Sequence, residues 1–585
     1  MTERLADTGR AVSKCELPLT AFEQISQGAV DESVITLLGK GQYSLRKLML
    51  RALVDTVSTR GAGQGLFANV DLAWSILAEA ERLAPTALRD VVMSPAVGVW
   101  LARALRAAVG DESLPLWAEL GGLHTVAAAA AVRCGVITTV PVPVVHGTVA
   151  LPTVGLFELP VEFPVGDARV HNSSDGMWLT ALRGSVELRP DVPDNHFRSM
   201  RRHRTTAGGH TLDVAFDDFS PHRTFSSLKP PDPMAEADHE QWCKLLDEAW
   251  RSLTRWHPDY AEEIAACLTT IIPLPRECGV FASSSSAAFG GVAMSPKETS
   301  GELAEALVHE LQHSKLNAAM DLVVLHRSRD DRWFYAPWRD DPRPLSGLLH
   351  GIYAFTSVIE FWHGQRDVLA PHQVVRADMT FGHRARQVSR ALDILRRCGD
   401  LTDPGRELVA ATSVRVAACD PANLPTAVAR AIETMTADHY AVWRTRHVRP
   451  RPAQVDELVE RWSAGEAADF APEDGEVLPS GEIGESRRSL LVRTRLLDPY
   501  LFERLCGHRG PDVMFARGDR DDAARDYAKR IRTGPRSGDD WVGLGLSLGS
   551  RSILNAPETV RAVYLRAGGA PDPIELAAWL DGAAS

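Results

Sequence analysis

The sequence predicts a predominantly helical α+β protein. Three observations carry that expectation. Leucine and alanine recur at three-and-four spacing over most of the chain, the stretch from Val136 to about Phe219 changes to short alternating runs rich in β-branched residues, and proline-rich or acidic breaks separate the two habits. At 585 residues the chain is too long for one hydrophobic core. The breaks divide it into a helical N-terminal region (1–135), a β-rich section (136–230), a core (231–365), a helical region (366–485) and a C-terminal helical segment (486–585).

Each part follows from its local pattern. "VDLAWSILAEAERLA" and "PLWAELGGLHTVAAAAAVR" have helical spacing, interrupted by Gly and Pro, between Leu17 and about Arg133. "GSVELRP" and "TLDVAFDD" alternate as half-buried strands do, and "SSLKPPDPM" (Ser226 to Met234) marks a boundary. Two helices interrupted near Pro258 come next. "FASSSSAAFGGVAMS" (Phe281 to Ser295), poor in charge and rich in small residues, reads as an exposed or edge strand. Thr299 with Glu302 forms a capping box, opening a helix that persists to about His326. "RDDRWFYAPWRDDPRPLSG" reads as a loop and "LLHGIYAFTSVIEFWHG" as a further helix. Beyond Val368 the chain is helical to about Arg446, followed by a "PRPAQ" break and an acidic linker from Ser463 to Ser486. The last segment has the rhythm of a single tetratricopeptide-like helix pair, with no repeat at a fixed period.

Composition narrows the function classes. A net charge of -12, from 64 basic and 76 acidic residues, gives no general affinity for nucleic acid or an anionic membrane. "RSMRRHR" (Arg198 to Arg204) is expected to be a solvated loop, and Asp217 and Asp218 in "FDDFSPHRTF" to serve a turn. The eight cysteines are scattered without a C-x-x-C pair, which fits a reducing, cytoplasmic compartment. The opening residues lack a secretory pattern, and no run of about 18 apolar residues occurs. The nearest such run, Val126 to Val161, is broken by Arg133, His146, Pro141, Pro143 and Pro152.

The chemistry-bearing stretch is "LVHELQHSKLNAAMDL" (Leu307 to Leu322). Side chains four apart lie one turn above each other on a helix, so His309 and His313 can converge on one ion. Neutral imidazoles suit zinc or ferrous iron, and Glu310 beside them can act as a base or orient a metal-bound group. The competing reading is a helix that happens to carry two surface histidines. The third ligand is expected on a neighbouring helix, either His350 in "LLHGIYAF" or Glu360 in "VIEFW". His350 is favoured because Gly351 permits close helix approach and the surrounding run implies burial. Glu360 would then orient an imidazole. A hydrogen-bonded core histidine is the plain alternative for His350.

Together, "HELQHSKLNAAMDL", "SSSSAAFGG", "YAPWRDDPRPLSGLLHGIYAF" and "LPLTAFEQISQG" resemble the HExxH-motif domain found near peptide-modifying maturases in bacterial gene clusters for ribosomally made peptides. The resemblance covers most of the chain. It implies an iron- and 2-oxoglutarate-dependent peptide β-hydroxylase acting on a precursor peptide, with His309 and His313 as metal ligands and His350 as the third; Glu310, from its place beside the pair, is the candidate catalytic residue that would tune or orient a metal-bound group. Three histidines depart from the usual two-His-one-carboxylate set. A zinc peptidase would use the same ligands with Glu310 as base, and a non-catalytic helical scaffold is a further alternative.

The two chemistries differ in their need for an anion pocket. The distal carboxylate of 2-oxoglutarate calls for a cation, and Arg339 and Arg343, before the His350 helix, are the first candidates, with Lys315 behind them. The opposing reading pairs the arginines with Asp340 and Asp341 and gives Lys315 to solvent or an acidic partner. In zincin-like folds an edge strand lies beside the active-site helix and pairs with an extended peptide. A zincin-like core is therefore expected here, and Ser285, Ser286 and Phe289 are its candidate substrate contacts.

Overall fold

The computed structural model describes residues 16–582 except 61–66, 68, 111–115, 160–164, 182–185, 190–195, 226–227, 276–281, 328–331, 473–474, 480–483, 508–509 and 535–536. Cys15, Cys278 and Phe281 lie outside the described residues. The chain divides into two compact units, Met1–Val323 and Val324–Ser585. That division falls inside the segment expected as one core (231–365).

The first unit opens with α1 (Leu19–Gln27), α2 (Glu32–Arg60), α3 (Val70–Leu83), α4 (Pro85–Val92), α5 (Pro95–Val109) and α6 (Leu116–Cys134). Ala127 to Ala131 of α6 are almost wholly buried, and their small side chains let the helix lie close to the sheet that follows. That sheet comprises β1 (Thr138–Val145), β2 (Thr148–Leu151), β3 (Gly155–Glu158), β4 (Val165–Ser173), β5 (Gly176–Ala181), β6 (Val186–Leu188) and β7 (Phe197–Ser199), in the order β6-β5-β4-β1-β2-β3-β7. Val140, Val142 and Val144 of β1 point into the core, as strict alternation requires. Pro141 and Pro143 sit in the same strand although it lies mid-sheet. β1 pairs with β4 along its whole length but meets β2 only at Val145 and Thr148, so the missing proline N–H groups fall where no ladder exists.

A second, five-stranded sheet spans the expected boundary at residue 230. It contains β8 (Arg201–Ala207), β9 (His210–Phe216), β10 (Thr270–Pro273), β11 (Ala282–Ser283) and β12 (Gly291–Met294), in the order β11-β12-β10-β9-β8, with α7 (Glu236–Trp256) and α8 (Pro258–Cys267) inserted between β9 and β10. The basic run expected as a loop is thus mostly strand. Alternation in β8 lets Arg202 pair with Asp213 across the strands, Arg201 with Asp218 and His203 with Asp247. The turn role holds for Asp217, which accepts from the Ser220 N–H at 2.8 Å, whereas Asp218 ties distant segments together, accepting from the Met234 N–H at 2.8 Å and from Arg201 at 2.7 Å. After β12 comes α9 (Ser300–Met320), ending earlier than the expected His326.

The second unit is almost entirely helical. It consists of α10 (Leu345–Gln365), α11 (Pro371–Arg396), α12 (Asp403–Ala418), α13 (Thr426–His447), β13 (Val448–Arg449), α14 (Pro452–Ala464), β14 (Glu476–Val477), α15 (Arg487–Leu497), α16 (Pro499–Leu505), α17 (Pro511–Arg517), α18 (Arg520–Thr533), α19 (Gly538–Leu548), α20 (Arg551–Asn555), α21 (Pro557–Arg566) and α22 (Pro573–Gly582). The segment expected as an acidic linker is tied down: Ala468 and Phe470 are buried and β14 pairs antiparallel with β13. The expected helix pair is α18 and α19, in contact around Tyr527, whose ring fills the space a side chain at Gly543 would need. Among the described residues no single helix is long and apolar enough to cross a membrane. Six cysteines, Cys134, Cys243, Cys267, Cys398, Cys419 and Cys506, are free thiols.

Candidate metal centre

The helix carrying the histidines is fixed at its start by Thr299, whose Oγ1 accepts from the Glu302 N–H at 3.2 Å. Glu302 reaches back one residue further than an ideal capping box, accepting from the N–H of Glu298 at 3.2 Å. Most of α9 is enclosed, including Leu303, Leu307, Val308, Leu311, Gln312 and Leu316. Its partly exposed positions include Glu305, His309, His313 and Asn317, a stripe at spacing four. The two histidines therefore share the open face of a helix that is otherwise core.

His309 Nε2 and His313 Nε2 lie 3.1 Å apart, with the rings edge to face at 87°. With metal–nitrogen bonds of roughly 2.1 Å that separation subtends an angle of about 95° at a shared ion, so the pair fits two neighbouring ligands of one metal. Among the described residues no group of three or more His, Cys, Asp or Glu side chains is gathered as a metal site.

Glu310 lies on the enclosed side of α9, 2 % exposed. Burial pushes its carboxyl up to about 7, opposed by a hydrogen bond from Ser284 and by the Lys297 ammonium. Its Oε2 has no hydrogen-bond partner among the described residues. Burial in turn draws the Lys297 ammonium down to about 8, against the pull of Glu302, Glu310 and Glu305. Lys297 also lines a cavity of about 360 Å³ with Asp218, Asp232, Trp242 and Pro273. Sequence reasoning missed both neighbours of Glu310. Ser284 belongs to a serine run that carried a signal, whereas Lys297 lies in a loop where no periodicity could mark it.

The expected edge strand is present but short. β11 pairs antiparallel with β12, which runs parallel to β10, and β11 is the outermost strand of its sheet. The turn after β11 is gripped by buried Arg46 of α2, which donates to Ala287 O at 3.0 Å and to Val92 O and Ser94 O. Ser286 is exposed, as a substrate contact requires. Ser285 instead stabilises its own turn, accepting from the Ala287 N–H at 3.3 Å. Phe289 is a correction: its ring is 8 % exposed and packs toward Gly39 of α2, so it belongs to the core.

Lys315 is a second correction. It is 0 % exposed, and its Nζ donates to Glu263 Oε2 at 2.8 Å and to Gly28 O at 3.0 Å. Glu263 Oε1 also accepts from the Val30 N–H at 2.8 Å. An ammonium sequestered in this way is withdrawn from any cosubstrate. Its expected acidic partner exists, but inside the protein.

His350 lies on α10 in the second unit. Burial holds its imidazole down to about 4, with the Arg343 guanidinium and His326 adding to the effect, so it is neutral at pH 7. Gly351 does not admit a helix, because the space a Cβ would occupy there is taken by the Trp338 ring, 1.9 Å away. Glu360 is engaged by Arg415, Nε to Oε1 at 2.8 Å and a second nitrogen to Oε2 at 2.7 Å, which supplants its expected role beside an imidazole. Arg339 pairs with Asp341 at 2.6 Å and Arg343 with the same carboxylate at 3.4 Å, as the opposing reading of the arginines held. No protein-family model matches the sequence, and no curated protein matches it.

Proposed function

We propose that the protein is a metal-dependent peptide-tailoring enzyme, an Fe(II)- and 2-oxoglutarate-dependent hydroxylase of a Cβ in a ribosomally synthesised precursor peptide. The observation that carries this reading is the His309 and His313 pair, with its 3.1 Å separation on the open stripe of an enclosed helix and Glu310 buried beside it. A zincin-like core is part of the reading. It is supported by the outermost position of β11 and by the hydrogen bond from Ser284, directly after that strand, to Glu310.

His309 and His313 would hold the ion, with His350, nominated by the sequence, as the third ligand. Bound iron, with 2-oxoglutarate and dioxygen, supplies the oxidation of a substrate C–H to C–OH, releasing succinate and carbon dioxide. The chain's own groups bind and orient. The exposed Ser286 and the edge of β11 offer hydrogen bonds to an extended peptide, and Glu310, buried beside the pair, would orient a metal-bound group. Arg343, whose charge reaches His350, is the remaining candidate for the distal carboxylate.

Glu310 also supports a second reading, a zinc peptidase. A buried carboxyl poised near 7 with one oxygen lacking a partner suits a general base that takes a proton from a metal-activated water. One incubation separates the two. Purified protein and precursor peptide with Fe(II), ascorbate and 2-oxoglutarate should give a peptide heavier by one oxygen and a stoichiometric yield of succinate. Peptide fragments formed without the keto acid would replace the first reading by the second. Full function retained in His309→Ala would defeat both and leave a scaffold.

A further inference from the structure

The second unit contains a groove of about 720 Å³ that the proposed chemistry does not use. Its floor is aromatic: Tyr335 packs against Tyr440 with ring centres 5.0 Å apart and against Trp443 at 4.9 Å, and Val448 and Val477 of the β13–β14 ribbon extend the apolar surface. Its polar lining is basic. Arg332 is matched by Asp400 at 2.7 Å, Arg444 by Glu558, and Asp393, the one lining carboxylate among the described residues, by Arg396 at 2.7 Å. Arg390 and Arg397 have no carboxylate within salt-bridge distance among the described residues. Arg390 instead lies over Tyr440, 3.6 Å from the ring centre.

Trp443 is 4 % exposed, and its ring completes the apolar lining. Unmatched positive charge over an aromatic floor calls for a ligand with both carboxylates and apolar groups. Arg390 and Arg397 are two turns apart along α11 and its end, so they share a face and are separated by roughly 10 Å, about one three-residue turn of an extended polyproline II chain, in which side chains three apart share a face.

We propose that this groove binds an extended acidic segment of the peptide substrate, with carboxylates on Arg390 and Arg397 and an apolar side chain against Tyr335, Tyr440 and Trp443. That the peptide is a substrate rests on the function proposed above; the binding itself does not. A single-stranded nucleic acid is the less favoured occupant. Among the described residues lining the groove only two guanidiniums are unneutralised, and a net charge of -12 repels a long polyanion.

The test is fluorescence anisotropy on the full chain, without metal or keto acid, with three labelled probes. These are a short synthetic peptide with glutamates three apart separated by leucines, the same peptide with lysines in place of the glutamates, and a single-stranded oligonucleotide of equal length. The acidic peptide should bind, release as salt is raised, and bind Arg397→Glu at least about tenfold more weakly. Arg397 is exposed, so this variant should retain the wild-type circular dichroism spectrum. Arg390→Lys, which keeps the charge and loses the stacking, should fall between the two. Equal binding of the lysine peptide, unchanged affinity in Arg397→Glu, or tighter binding of the oligonucleotide would overturn the proposal. Loss of binding in Arg397→Glu with no oxygen ever transferred to peptide would retain the groove and remove the hydroxylase.

Discussion

Asp217 is 2 % exposed, and burial pushes its carboxyl from 3.8 up to about 6, the Ser220 N–H opposing and the neighbouring Asp218 assisting. A folded-state value raised above the unfolded one means that the native chain binds the extra proton between pH 4 and 6. The stabilisation from that proton is complete below the lower value and is lost as pH rises through the upper one. Asp217→Asn keeps an acceptor for Ser220 and carries no charge. Relative to wild type it should therefore gain on the order of 2 to 3 kcal/mol between pH 4 and pH 7, measured by urea denaturation at each pH. Gly351→Ala is expected to go the other way, losing about 1 to 3 kcal/mol at any pH, because its new methyl group meets the Trp338 ring. His309, Glu310 and His313 were legible because a helix repeats every 3.6 residues and their spacing is itself the geometry. Trp338 against Gly351, Lys297 near Glu310 and Arg415 on Glu360 were not, since each joins residues whose separation follows no local period.

At the scale of elements, α9 is held from two sides. Thr299→Ala removes an N-cap and should cost about 1 kcal/mol in thermal or chemical unfolding. Lys315→Ala is the more severe change, because it leaves the Glu263 carboxylate, 1 % exposed, without its cation; a loss of roughly 3 to 5 kcal/mol is expected in the same measurement. Sequence reasoning identified α9 and its cap, the break at Pro258 and the helices beyond Val368. It read β8 as a loop because consecutive arginines suggest solvent, although a strand can present arginine on both faces when carboxylates wait on each. The acidic stretch after α14 misled for the opposite reason: its charge concealed the apolar anchors Ala468 and Phe470.

On the scale of the molecule, sequence breaks suggested five segments, while packing makes two units. A sheet that recruits β8 and β9 from one side of residue 230 and β10 to β12 from the other cannot be divided there, and local composition does not record which strands will pair. Metal binding should be visible as stability of the whole chain. A divalent ion at a hundred times its dissociation constant adds about 2.7 kcal/mol to a native state that alone binds it. Zn(II) or anaerobic Fe(II) should raise the unfolding temperature of wild type and leave His309→Ala and His313→Ala unmoved. An equal rise in all three would show that these imidazoles do not hold the ion.

The salt link between Lys315 and Glu263 has a practical corollary for anyone who would trim the gene. Both side chains finish their bonding on the main chain at Gly28 and Val30, and Arg46 clasps the bend that follows β11. A shortened version starting near residue 231 would keep His309, His313 and His350 yet strand a charged couple against missing scaffolding. The amino-terminal helices thus serve as the jig in which the motif is set, and expression trials should carry them.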